Sequence, residues 1–171
     1  MLTSSIFMLA LAATGLGQTV PEGYKKVLIT SNVNVKFVVV PKAPVKAGTT
    51  LVVQTRNDKP EQQWYLKSNV TRIQLANSTL CMDAGAKANW KDMASISLKE
   101  CSDTEPGQQW NVQADGRIAV DQSPSPKQCI DLQYLRATNN NPVGLYTCAG
   151  LGNTGAADKG INWPLVELVT P

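Results

Sequence analysis

Gln62-Gln63-Trp64 and Gln108-Gln109-Trp110 place the same three residues 46 apart, and a third tryptophan follows in Ile161-Asn162-Trp163 after a further 53. Self-similarity at an interval of this size marks a chain built from repeated structural units. The residues between the tryptophans recur as well. Arg72-Ile73 is matched by Arg117-Ile118, and Cys81-Met82-Asp83 by Cys129-Ile130-Asp131. Ile96-Ser97-Leu98-Lys99-Glu100-Cys101 is matched by Val143-Gly144-Leu145-Tyr146-Thr147-Cys148. Each landmark sits on a short apolar-polar alternation, the pattern of a strand with one face buried. Turn-forming stretches such as Asp103-Thr104-Glu105-Pro106-Gly107 and Ser123-Pro124-Ser125-Pro126 separate them.

Working outward, a first and more divergent unit precedes these two. Lys26-Val27-Leu28-Ile29 aligns with Thr71-Arg72-Ile73-Gln74, Thr49-Thr50-Leu51-Val52-Val53 reads as its third strand, and Gln62-x-Trp64 closes it. It has no cysteine and no aspartate at the landmark around Val35 to Val38, and Val53 is read at the position held by Tyr146 in the third unit. The expected fold is therefore all-β: three four-stranded repeats, at about residues 22–66, 67–112 and 113–169, arranged about a pseudo-threefold axis as a β-trefoil. A single unit cannot bury its apolar face alone, whereas three can close a barrel and remove most sheet edges. A β-sandwich is the rival architecture, and it leaves the threefold repeat unexplained.

The bulk properties agree with one domain. The chain has 171 residues, 17% of them charged and 6% aromatic, with a net charge of +3. The Lys and Arg residues form no basic run, which disfavours nucleic acid as a partner. There is no histidine, so the commonest general base, the Ser-His and Cys-His pairs and the usual zinc ligand are all missing. No cofactor or metal is expected, and no carboxylate pair stands in a catalytic context.

Residues 1–17 read as a cleaved signal peptide: a short apolar core, Ile6 to Ala13, precedes the small residues of Gly15-Leu16-Gly17, although no Lys or Arg comes before it. A single domain over 18–171 follows. Four cysteines and two glycosylation sequons, Asn69-Val70-Thr71 and Asn77-Ser78-Thr79, also point to a secreted, extracellular protein. Four cysteines allow three pairings. Equivalence of the units favours Cys81 with Cys101 and Cys129 with Cys148.

Cys-x-Asp, a second Cys about 20 residues on, and Gln-x-Trp, repeated at matching spacing, resemble the ricin B-type lectin repeat over nearly the whole mature chain. The resemblance implies a β-trefoil that binds glycans and catalyses nothing. It implies that Trp64, Trp110 and Trp163 are structural, packed in a shared core. It also implies a shallow sugar site made from a carboxylate, an aromatic ring and an amide. Asp131 and Tyr146 stand at the first two positions in the third unit, and Asn140 or Asn141 is the nearest source of an amide. Gly160-Ile161 replaces the family's usual Asn-Gln before Trp163, and Gly144 replaces a polar residue. In the second unit Asp83 is a weaker candidate, with Lys99 at the ring position and Trp90 as a possible substitute. Galactose- or xylan-type sugars are the expected ligands. The alternative is a β-trefoil protease inhibitor or defence protein with vestigial sugar sites, its candidate loop running from Lys87 to Lys91.

Overall fold

The computed structural model describes residues 19–148 and 158–169; the expected signal peptide, residues 1–17, lies outside them. The first unit contributes β1 (Lys25–Ile29), β2 (Phe37–Pro41), β3 (Leu51–Thr55) and β4 (Trp64–Leu66). The second has β5 (Asn69–Thr71), β6 (Gln74–Leu75), β7 (Leu80–Asp83), β8 (Ser97–Glu100) and β9 (Trp110–Val112). The third has β10 (Ile118–Val120), β11 (Gln128–Leu132), β12 (Val143–Thr147) and β13 (Leu165–Glu167).

The first and last strands of each unit form a ring. β13 pairs with β1, β1 with β4, and β4 with β6; β5 pairs with β9, and β9 with β10, all antiparallel. β5 and β6 are one bent strand that reaches two neighbours, which is why the second unit shows five segments where four were expected. The ring closes where the Trp163 N–H donates to Gly116 O at 2.8 Å. Gly116 sits in the turn before β10 with φ at +89°, a conformation that favours glycine.

The middle strands form three hairpins, β2–β3, β7–β8 and β11–β12, which cap the ring. They touch one another in a triangle. Leu51 N–H donates to Ile96 O, Leu145 N–H to Ala94 O and Val53 N–H to Asn141 O. Ring and triangle together make a β-trefoil.

The tryptophans lock ring to cap. Trp64, Trp110 and Trp163 are each at most 1% exposed and share one core with Val39, Met82 and Ile130. Each indole N–H donates to the second strand of its own unit: Trp64 to Val39 O at 2.9 Å, Trp110 to Met82 O at 3.1 Å, and Trp163 to Ile130 O at 2.9 Å. Burial supplies most of the energy, and the bond prevents the indole donor from being buried without a partner. The motif glutamines brace the approach. Gln62 accepts from the Asn57 and Asp58 N–H groups, and Gln108 accepts from Ser102 N–H while donating to Glu100 O.

Both disulfides lie within units, Cys81–Cys101 joining β7 to the end of β8 and Cys129–Cys148 joining β11 to the end of β12. Each closes a loop of about 20 residues, worth about 3 kcal/mol on a chain-entropy account. The first unit has valine instead. Val38, Val40 and Val52 form a small cluster with Leu28, against which Val166 and Leu168 pack.

Removing the second indole tests the architecture. Trp110→Ala should lower unfolding free energy by about 3–5 kcal/mol, read from chemical denaturation. A variant with wild-type stability would show that the indole does not hold the core.

Candidate functional site

Registering the three hairpins on their tryptophan-bonded carbonyls makes Val40, Asp83 and Asp131 equivalent. Asp131 stands opposite Gly144 and Cys129 opposite Tyr146, so Asp131 and Tyr146 are diagonal neighbours on one outward face. Tyr146 is 40% exposed and Asp131 is half-buried. The Asp131 carboxylate accepts no hydrogen bond from the described residues.

The surroundings of Asp131 are acidic and narrow. A Cβ on Gly160 would lie 2.8 Å from Asp131 Oδ1 and from Leu135 Cδ2 and 3.3 Å from Asp158 Oδ1, so a larger residue would push these side chains aside. Asp158 Oδ1 accepts the Gly160 N–H at 2.9 Å. Asp92 arrives from the second unit, where its Oδ1 accepts both the N–H and the hydroxyl of Thr147, the residue after Tyr146. Burial, then the charges of Asp158 and Asp92, push the Asp131 carboxyl from its usual 3.8 up to about 7.

Gly144 is also dictated by close approach. A Cβ there would meet Ala94 O at 2.6 Å, so the polar residue of the family pattern has no room. The same point lies 3.6 Å from Gln133 Nε2, which brings an amide to the patch. After β11 the chain turns through Tyr134 and Leu135, with φ at +57° and +55°. Two successive non-glycine residues in that region store strain, and such strain clusters at functional surfaces. Tyr134 is 71% exposed, with the Arg136 guanidinium 5.6 Å from its ring centroid.

The asparagines are engaged elsewhere. Asn140 accepts from Gln54 Nε2 at 2.7 Å, and Asn141 donates from its amide to Gln133 O at 2.9 Å. They stitch the loop before β12 to β3 and to the chain after β11. Gln133 thus offers the amide that sequence reading sought in Asn140 or Asn141. Asp92 and Asp158 escaped that reading because they come from segments far from Asp131 in sequence, whereas Gln133 lies only two residues after it and was passed over for the asparagine-rich loop. Tyr134 carried one usable signal, an aromatic residue three after the aspartate in a polar loop.

The second unit repeats the geometry with its carboxylate occupied. Asp83 is 1% exposed. Its Oδ1 accepts Gly85 N–H at 2.6 Å and lies 3.1 Å from Lys99 Nζ, and its Oδ2 accepts from Gln108 Nε2 at 3.1 Å. Lys99 holds the register position of Tyr146 and caps the carboxylate from there. Trp90 does not replace the ring; it is 8% exposed, joins the core and donates to Gly85 O. In the first unit the observed register puts Gln54, not Val53, at the ring position. Val53 points into the core because β3 runs two residues further than the alternation suggested.

The model of the ricin-type beta-trefoil lectin domain matches residues 69–157, more than half of the chain, and the chain belongs to that family. The designed threefold-symmetric protein ThreeFoil superposes with a TM-score of 0.69 at 18% identity, over 86% of this chain and 100% of that one. The C-half of the earthworm R-type lectin, solved with GalNAc, superposes with a TM-score of 0.62 at 16% identity, over 84% and 99%. An exo-beta-1,3-galactanase from Clostridium thermocellum gives 0.66 at 19% identity, over 88% of this chain and 32% of that enzyme. At these identities the likeness is one of fold. Comparison with curated protein sequences finds no match. The lectin-type fold is one that supports carbohydrate binding.

The acidic setting of Asp131 has a measurable consequence for stability. The folded state keeps a proton up to about pH 7 that the unfolded chain releases near its usual 3.8, so stability falls as pH rises between those values and stays lower above them. Asp131→Asn removes that loss. Its Tm should exceed that of the wild type at pH 8 and converge with it near pH 4, by calorimetry. Parallel Tm curves across that range would contradict the assignment.

Proposed function

We propose that the protein is a secreted, non-enzymatic glycan binder whose working site lies on the third unit, with galactose- or xylan-type sugars as ligands. One observation carries this reading: Asp131 presents a half-buried carboxylate with no donor among the described residues, beside an exposed ring on the same face. Vicinal sugar hydroxyls supply the missing donors. The Tyr146 ring covers the apolar C–H face of the sugar, and the Gln133 amide completes the polar fringe. The earthworm lectin half solved with GalNAc supports the galactose-type choice.

Secretion is supported by the apolar N-terminal segment and by the two disulfides. Among the described residues no helix is long and apolar enough to cross a membrane. The sequon residues Asn69 and Asn77 are both exposed on the second unit, as glycosylation requires. With Asp83 bound to Lys99 and an apolar cluster at Val40, one site per chain is proposed, with affinity on the order of millimolar. Tighter binding requires several chains acting together.

A glycan array on wild type, Asp131→Ala and Tyr146→Ala tests the reading. The wild type should bind a set of galactose- or xylan-type glycans, and each variant should lose about tenfold or more in affinity. Full affinity in Asp131→Ala would refute the site. Because the ionised carboxylate is the acceptor and its pKa lies at about 7, affinity should rise between about pH 6 and 8. A flat profile, measured by calorimetric titration, would mean that Asp131 does not contact the sugar.

A further inference from the structure

The first unit has lost the sugar-site residues, yet it carries a hollow of about 250 Å³ in the loop between β2 and β3, lined by Lys42, Ala43, Pro44, Lys46, Gly48, Thr49 and Thr50. The loop has a defined shape. Thr49 Oγ1 donates to Pro44 O and accepts Lys46 N–H, Lys42 N–H donates to Thr50 O, and Gly48 N–H donates to Leu98 O of the second unit. Lys42 and Lys46 pair with no carboxylate among the described residues. No acidic side chain lines the hollow.

Charge is unevenly divided among the units. Residues 22–66 hold seven basic and three acidic side chains, against five and five over 67–112 and four and five over 113–169. From Gly23 to Asn57 there is no acid at all. The net positive charge thus belongs to the first unit, and the hollow there is lined by two lysines that have no ion-pair partner among the described residues. With no acidic side chain in its lining, the hollow favours an anion.

We propose that this hollow binds the sulfate or carboxylate group of an acidic polysaccharide. The two ammonium groups take the anion, and the Thr49 and Thr50 side chains line the wall beside the sugar. A phospholipid surface fits less well, because no aromatic or large aliphatic side chain lines the hollow for insertion. The proposal stands apart from the reading of Asp131, since the two sites share no residue.

Amide signals of Gly48, Thr49 and Thr50 in the full-length protein provide the test. The probes are sodium sulfate, a sulfated heparin hexasaccharide, its fully desulfated and N-acetylated counterpart at equal ionic strength, and phosphatidylserine vesicles. The sulfated saccharide should shift these amides, and its affinity should weaken about tenfold in Lys42→Gln/Lys46→Gln and with added salt. Asp131→Asn should leave that affinity unchanged, and the double variant should keep wild-type Tm and any binding of neutral glycans. Equal affinity in the double variant, shifts confined to other residues, or no binding would each overturn the proposal. So would tighter binding to the vesicles than to the sulfated saccharide.

Discussion

Three buried indoles, each also giving its N–H to a backbone carbonyl of the hairpin above it, hold this molecule together. The ring strands are short, three residues in β4, β9 and β13, and pairing alone would leave them marginal. The tryptophans carry the ring into the cap. Val39, Met82 and Ile130 accept the bonds at equivalent points, so one contact repeated three times fixes the threefold frame. Every comparison between the units follows from that frame, including the equivalence of Val40, Asp83 and Asp131.

Within that frame the units solve the same surface problem differently. The first fills the position with valine and covers it with Val166 and Leu168. The second keeps the carboxylate, pairs it with the Lys99 ammonium and hydrogen-bonds it to the Gln108 amide. The third keeps the carboxylate and surrounds it with further acids. A buried charge without a partner costs free energy, whereas a fully bonded one is tolerated. Asp131 is therefore held at a cost to stability, whereas Asp83 is held by three bonded partners.

Much of the fold was legible because a tryptophan repeat at nearly constant spacing survives divergence elsewhere. Strand registers were less so: Val53 and Gln54 are both plausible on a pattern of alternation, and only pairing with Val38 decides between them. The candidate site was partly legible. Asp131 and Tyr146 could be placed because each sits a fixed distance from a cysteine. Asp92 and Asp158 could not, because the fold brings them to Asp131 from distant segments; Gln133, two residues after Asp131, had no marker in the pattern. Asn140 and Asn141 each make one side-chain bond to a neighbouring segment, as a short polar side chain in a tight turn does before it serves solvent.

The ring closes late in the chain. β13 is the partner of β1, and Trp163, which meets Gly116 from before β10, stands just ahead of β13. A polypeptide emerging from the ribosome must therefore hold β1 unpaired on one edge until nearly all of the domain has been made. Vectorial synthesis builds the second unit and most of the third before the first gains its outer neighbour. The divergent unit is the one that waits, with the cluster of Leu28, Val38 and Val40 lacking Val166 and Leu168 until the final strand arrives.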